Sequence, residues 1–451
     1  MVKVMRYWFS GCSPVVLLSA LLWWSPASAI KPAATPVPDE FVAPLQATAA
    51  TPMYAPPKGA GRVRMIKDDK IGMPVLQARS AQEAIAAAVA QRAAGCRMLR
   101  FSSDGFGWIA TGTADYAATE NPVAARRSHR EARFKAFVDA RTRLAECLRR
   151  LPPEIRQQIS ERLAQDDAIR LALINLAAND EERREQALRI LARGFVAYAV
   201  DDDAATVRVH LVATPRTATR LTRPTPNAVE AVSLPEGLKQ LLAEAGGGLI
   251  PPVGNRLMVV NSTGELALVG YAINLIGVHP DPTAQGKLRA DAEKIATRHA
   301  TEALAGLAMD DAGAWQSGLD EASRDEIRAA ANGYEDSEPS MRRFGQIRDL
   351  MMTSIKDDPG FQTVREGSLP SATTIKRFSN DETVAVVVIY TPLVKKREVI
   401  PPAQQPTSPT PAPAPASTVG IPPAPLPNLP ATPTTPASAP SATQSAPTET
   451  R

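Results

Sequence analysis

Cys96 and Cys147 are the residues in this chain best suited to covalent chemistry. A thiol pair forms a disulfide where the two Cα atoms come within about 7 Å, and otherwise stays as two buried thiols. Both readings are open from sequence. Four histidines follow as candidates for proton transfer or metal binding: His129, His210, His279 and His299. None has a second His or a Cys at metal-ligand spacing, and His299 has only Glu302 one helical turn on. Each reads as a surface or packing residue. Asp201-Asp202-Asp203 lacks the glycine and terminal glutamate of a calcium loop and reads as a hairpin turn. Asp310-Asp311 reads as a solvated loop. The chain has no G-x-S-x-G, no H-E-x-x-H and no phosphate-binding glycine loop. The reading is therefore of a protein that is not an enzyme, with no catalytic residue, metal or cofactor assigned.

Charge supplies one further candidate. Arg126, Arg127, Arg130, Arg133 and Arg141 crowd one predicted helix with few acids beside them. Such a face suits an anionic partner, either a cell-wall polymer or an anionic lipid surface, while the plainer reading is a solvated helix. The net charge of the whole chain is only +4, which argues against a nucleic-acid binder.

The elements that carry these residues occur twice. Ser80-x-x-Glu83 and Ser233-x-x-Glu236 each look like a capping box that opens a helix. A hairpin follows in each copy, turning at Ser102–Gly105 and at Asn261–Gly264. Its second strand carries Gly112 in one copy and Gly270 in the other, glycines that mark a close backbone approach. A long helix comes next, in which Ala132, Ala136, Ala140 and Leu144 match Ala292, Ala296, Ala300 and Leu304. Residues four apart share a helix face, so this small-residue stripe lies close on a sheet. A helical insert and a closing hairpin that ends in Thr-Pro complete each copy. The predicted fold class is α+β, with two tandem modules of helix, hairpin, long helix, helical insert and hairpin, and an antiparallel sheet with helices on one face. Predicted boundaries are residues 80–215 and 233–395, with linkers at 30–79 and 216–232. The cysteines and the arginine-rich face belong to the first copy alone.

The ends of the chain differ in kind from its middle. Lys3 and Arg6, the apolar run from Val15 to Trp24 and Ala27-Ser28-Ala29 have the form of a secretory signal peptide over residues 1–29, cleaved after Ala29. The apolar run is shorter than the roughly 20 residues that span a bilayer, so no transmembrane segment is expected once it is removed. Residues 396–451 are nearly all Pro, Ala, Thr and Ser and have too little apolar bulk to pack, so a disordered proline-rich tail is predicted.

A strand ending in Gly-x-Ala, a loop and an alanine-rich helix make up Gly112-Thr113-Ala114 with the helix from Ala124. The second copy repeats the pattern in Gly270-Tyr271-Ala272 with the helix from Thr283. Each stretch resembles the LPP20-type domain and the N-terminal domain of flagellar assembly protein T. The large helical inserts and the proline-rich tail depart from that pattern. The resemblance implies a bacterial envelope protein without catalysis. With the signal peptide, the expected location is periplasmic or secreted, peripheral to the outer membrane in one arrangement. The expected function is that of a structural or adaptor protein whose two modules bind other envelope proteins. The alternative is a periplasmic module that binds an anionic polymer or lipid surface through the basic helix.

Overall fold

The computed structural model describes residues 63–68, 71–101, 105–117, 119–334 and 338–392. The signal segment with Ala27 and Ala29, and the proline-rich tail, lie outside the described residues.

Repeat 1 runs β1 (Arg64–Asp68), β2 (Met73–Ala78), α1 (Ala81–Ala90), β3 (Gly95–Phe101), β4 (Gly105–Asp115) and α2 (Pro122–Arg149). It continues with α3 (Pro153–Leu163), α4 (Asp167–Leu176), α5 (Asp180–Arg193), β5 (Phe195–Asp202) and β6 (Thr206–Ala213). The short α6 (Pro215–Arg220) leads into repeat 2, which opens with β7 (Leu221–Thr222), β8 (Ala228–Ala231), α7 (Leu234–Gly246), β9 (Val253–Val260), β10 (Glu265–Leu275) and α8 (Pro282–Met309). Its remainder is α9 (Ala312–Gln316), α10 (Glu321–Ala331), α11 (Glu338–Ile355), α12 (Pro359–Arg365), β11 (Thr374–Ser379) and β12 (Thr383–Tyr390).

The fold is α+β, and each repeat is built on one six-stranded sheet. The strand orders are β1-β2-β3-β4-β6-β5 and β7-β8-β9-β10-β12-β11, so the two copies share one topology. Both sheets are mixed rather than wholly antiparallel, because β2 pairs with β3 and β8 with β9 in parallel across the crossover helices α1 and α7. Those crossovers also place helices on both faces. Ala84, Ile85 and Val89 of α1 pack with Leu76, Leu99 and Ile109, whereas α2 packs on the other face against Val75, Met98 and Trp108. The segments read as linkers at 30–79 and 216–232 in fact hold β1, β2, β7 and β8. These strands are two to six residues long, and β2 contains Pro74, so local pattern alone did not mark them.

Helix entry follows local chemistry. Ser80 and Ser233 accept from the backbone N–H groups of Glu83 and Glu236. The reciprocal half of the second predicted capping box is diverted, since Glu236 pairs with Arg220. The small-residue stripe is buried in both long helices. A Cβ at Gly112 would collide with the backbone of Ala136 and Ala140, and one at Gly270 with the backbone of Ala300. Glycine is therefore what lets each long helix lie on its sheet.

Candidate functional site

The arginine-rich face that only the first copy carries lies where the copies meet. One face of α2 presses on the sheet of repeat 1, and the arginines on its other faces reach repeat 2. Arg126 donates to the carbonyls of Ile276 (2.8 Å) and Gly277 (3.4 Å). Arg130 forms a buried two-pronged pair with Glu326 of α10, one contact being 2.8 Å. Burial pushes the Glu326 carboxyl up, against the opposing pull of Arg130. Arg141 donates to the carbonyls of Ala330 (3.0 Å) and Asn332 (3.2 Å). Arg127 pairs with Glu131 in its own helix at 2.8 Å and with Asp320 at 3.5 Å. Arg133 pairs with Asp202 in its own repeat.

His129 sits at the centre of this seam. Its Nδ1 is 2.8 Å from Glu382 in the β11–β12 turn, and its Nε2 is 3.4 Å from Asp202 at the end of β5. Tyr116 lies against its ring at 4.9 Å. The hydrogen bond to Asp202, then that to Glu382, raises the imidazole pKa to about 9 against the opposing effect of burial. The cation is thus the resting form near neutral pH. Its bond holds Glu382 below the usual carboxylate range, and His129 with Arg133 does the same for Asp202 despite burial.

A second weld lies beyond the arginines of α2. Arg223, just after β7, is buried, pairs with Glu244 of α7 and donates to the carbonyls of Phe195 (2.8 Å) and Arg193 (3.2 Å). Its guanidinium stacks on the Phe195 ring at 4.0 Å. Ala243 and Leu249 belong to the hydrophobic core of repeat 1 although the chain places them in repeat 2. Charged, buried and fully partnered groups of this kind fix the register of two bodies more than they add net stability.

The candidate surface for an anionic polymer or lipid is therefore turned inward: Arg126, Arg130 and Arg141 take their partners from repeat 2. The fault in the sequence reading is one of range, because those partners lie 150 to 196 positions along the chain. One signal was present. The segment from Asp320 to Glu326 holds four acids in seven residues, and a basic helix and an acidic helix in one chain are complementary partners.

Cys96 and Cys147 are joined, with Cα atoms 6.2 Å apart, and tie the start of β3 to the end of α2. In repeat 2 the first hairpin strand is tied to the long helix by Asn255, which lies opposite Gly270 and donates from its side chain to the carbonyl of Ala303 at 2.9 Å. His210 is fully buried, and its Nδ1 lies 2.9 Å from the Thr111 hydroxyl on the adjacent strand. Burial lowers its pKa to about 4. His279 accepts from the N–H of Asp281 ahead of α8, and His299 lies 3.2 Å from Glu302 on the exposed side of that helix. Asp201 and Asp203 pair with Arg92, and Asp310 with Arg348. Among the described residues no three His, Cys, Asp or Glu side chains converge as metal ligands would. No helix among them is long and apolar enough to cross a membrane.

Two cavities flank the seam. One of about 500 Å3 lies between α4 and α5 of repeat 1 and the β7–β8 edge and α11 of repeat 2. The other, about 410 Å3, lies between α2 and α5 and is closed at one end by Asn332, Gly333 and Tyr334 of repeat 2. Compared with protein-family models, curated proteins and solved structures, the chain matches none.

Proposed function

We propose that this chain is a non-catalytic adaptor of a bacterial cell envelope, in which two α+β repeats act as one welded body and present the helical inserts to partner proteins. The seam is the observation that carries this reading. Arg126, Arg130, Arg141 and Arg223 join the repeats, so the body offers partners a fixed spacing rather than two independent modules. The Cys96–Cys147 bond supports an oxidising compartment, where structural disulfides persist. The form of the first 29 residues and the resemblance of both strand–loop–helix stretches to envelope domains support the same location. The insert helix α4 exposes Leu171 and Ile174, 59% and 56% accessible and one turn apart, as an apolar contact for a partner. A polymer or lipid surface is the weaker reading, since the arginines that would hold it are engaged inside the chain.

The test is made in cells. The full chain, carrying a photo-cross-linking residue at position 174, should be recovered from the envelope fraction with both cysteines oxidised. It should give one discrete adduct that disappears with Leu171→Asp and is absent when the cross-linker replaces Glu161. Recovery with free thiols, or an adduct pattern indifferent to position, would overturn the proposal.

A further inference from the structure

The cavity between α2 and α5 has an unusual balance of charge. Arg141, Arg149, Arg189 and Arg193 line it together with a single acid, Glu185, which is already paired with Arg156. Arg141 and Arg193 are held in place from repeat 2. Each guanidinium lies 4.9 Å from the centre of the buried Tyr334 ring. Arg141 donates to the Ala330 and Asn332 carbonyls, and Arg193 to those of Pro224 and Gly333. A guanidinium has five N–H donors, so these bonds orient both groups and leave donors over. Arg149 and Arg189 take no ion pair among the described residues.

Val138, Leu148, Leu188 and Phe195 give the wall an apolar side, with Thr142 and Asn332 beside them. About 410 Å3 lies within the range of small-molecule sites. Like charges gathered round a partly open cleft repel, and an anion placed among them offsets that repulsion. Arginine is the side chain suited to it, because its planar fork matches carboxylate and phosphate oxygens. We infer that this cavity binds a small organic anion, with a phosphate or carboxylate head among the arginines and an apolar body against Leu148, Leu188 and Phe195. The second repeat completes the site, since the Asn332–Tyr334 loop positions two of the four arginines. Gly333 takes φ +82° there, a conformation that favours glycine. This inference stands apart from the adaptor reading, because neither the cavity nor its arginines enter the cross-linking test.

Titration calorimetry on the full chain tests it with 2-naphthyl phosphate, 2-naphthoate, inorganic phosphate and neutral 2-naphthol. One molecule of a naphthyl anion should bind per chain, and whichever of the two binds more tightly identifies the head group. Inorganic phosphate and 2-naphthol should each bind at least tenfold more weakly. Arg189→Glu should weaken the naphthyl anion at least tenfold by reversing a charge. Ala145→Trp should do the same by filling the space with every charge intact. The inference fails if neither naphthyl anion binds, if 2-naphthol binds equally well, or if both variants bind like the parent while unfolding at the parent's denaturant concentration.

Discussion

The long helices α2 and α8 are the same element used in two ways. Each is 28 residues long and opens on an Asx cap followed by proline, with Asn121 accepting from Val123 and Ala124 and Asp281 from Ala284. Each turns its alanine stripe to a strand glycine. Their outer faces diverge. Where α2 has Arg130 buried against Glu326, the matching position of α8 is Ala290, which is exposed. The interiors diverge too. Beside the strand glycine, repeat 1 sets Thr111 opposite His210, whereas repeat 2 sets Val269 opposite Ile389. A helix face that must lie within contact distance of a backbone tolerates little but alanine and glycine. A face turned to a neighbour is free to be rebuilt, and in α2 it became the joint.

The sharpest way to break this comparison is to remove one charge from the seam. Arg130→Ala would leave Glu326 buried without its partner, at a cost of about 3–5 kcal/mol. Replacing both, as Arg130→Met with Glu326→Leu, should recover most of that loss, because the penalty belongs to the unpaired charge. Urea unfolding of the three proteins checks this. Ala290→Arg in repeat 2 should change stability by no more than a few tenths of a kcal/mol, as surface changes do. Equal effects at positions 130 and 290 would mean that the two outer faces do not differ in role.

The next effect compares the two ties between strand and long helix. The disulfide closes a segment of 51 residues. Chain entropy alone assigns such a closure about 4 kcal/mol. Repeat 2 ties β9 to its long helix with the one buried hydrogen bond of Asn255, for which about 1 kcal/mol is usual. Cys96→Ala with Cys147→Ala should therefore lower the denaturation midpoint well beyond Asn255→Ala. Under reducing conditions the parent should move toward the cysteine-free variant, and the Asn255→Ala difference should stay constant.

Much of the scaffold could be read from residues: the capping serines, the turn of the second hairpin, the alanine stripe and the two strand glycines lie where local pattern places them, while the turn at 102–104 falls outside the described residues. What could not be read has two physical sources. β7 is the dipeptide Leu221-Thr222, too short to show any period, and it exists because β8 pairs with it. The parallel pairing of β2 with β3 is likewise non-local, and only the fold brings those strands together. The seam was missed for the same reason at longer range. The arginines of α2 were legible as a charge excess, but an excess does not say whether its counter-charge lies in another molecule or in the chain's own α10. The cavity between α2 and α5 was beyond reading, since it depends on Tyr334 arriving from repeat 2 to hold Arg141 and Arg193.

The smallest expected effect separates the two histidines that repeat 2 lacks. His129 is raised to about 9 by its hydrogen bonds to Asp202 and Glu382, with Arg133 opposing and Tyr116 against the ring. A base raised above its unfolded value of about 6.5 stabilises the fold fully below that pH, and this contribution is lost as pH rises through about 9. His210 runs the other way. Burial lowers it to about 4, so its neutral form is no handicap above pH 6.5, and stability is lost as pH falls through 6.5 toward 4 because only the unfolded chain takes the proton. At about 1.4 kcal/mol per pKa unit the buried His210 window is worth about 3 kcal/mol, and that of His129, partly reached by water, on the order of 2 kcal/mol. Thermal unfolding followed from pH 4 to pH 10 should show both slopes in the parent. His129→Gln should flatten the alkaline slope, and below about pH 5 it should also weaken the acid one, because Glu382 and Asp202 lose the bond that lowers them. Thr111→Val with His210→Ile, which copies repeat 2, should flatten the acid slope and leave the alkaline one. If His129→Gln changed only the acid limb, the seam would not contain the protonated histidine that its two carboxylates call for.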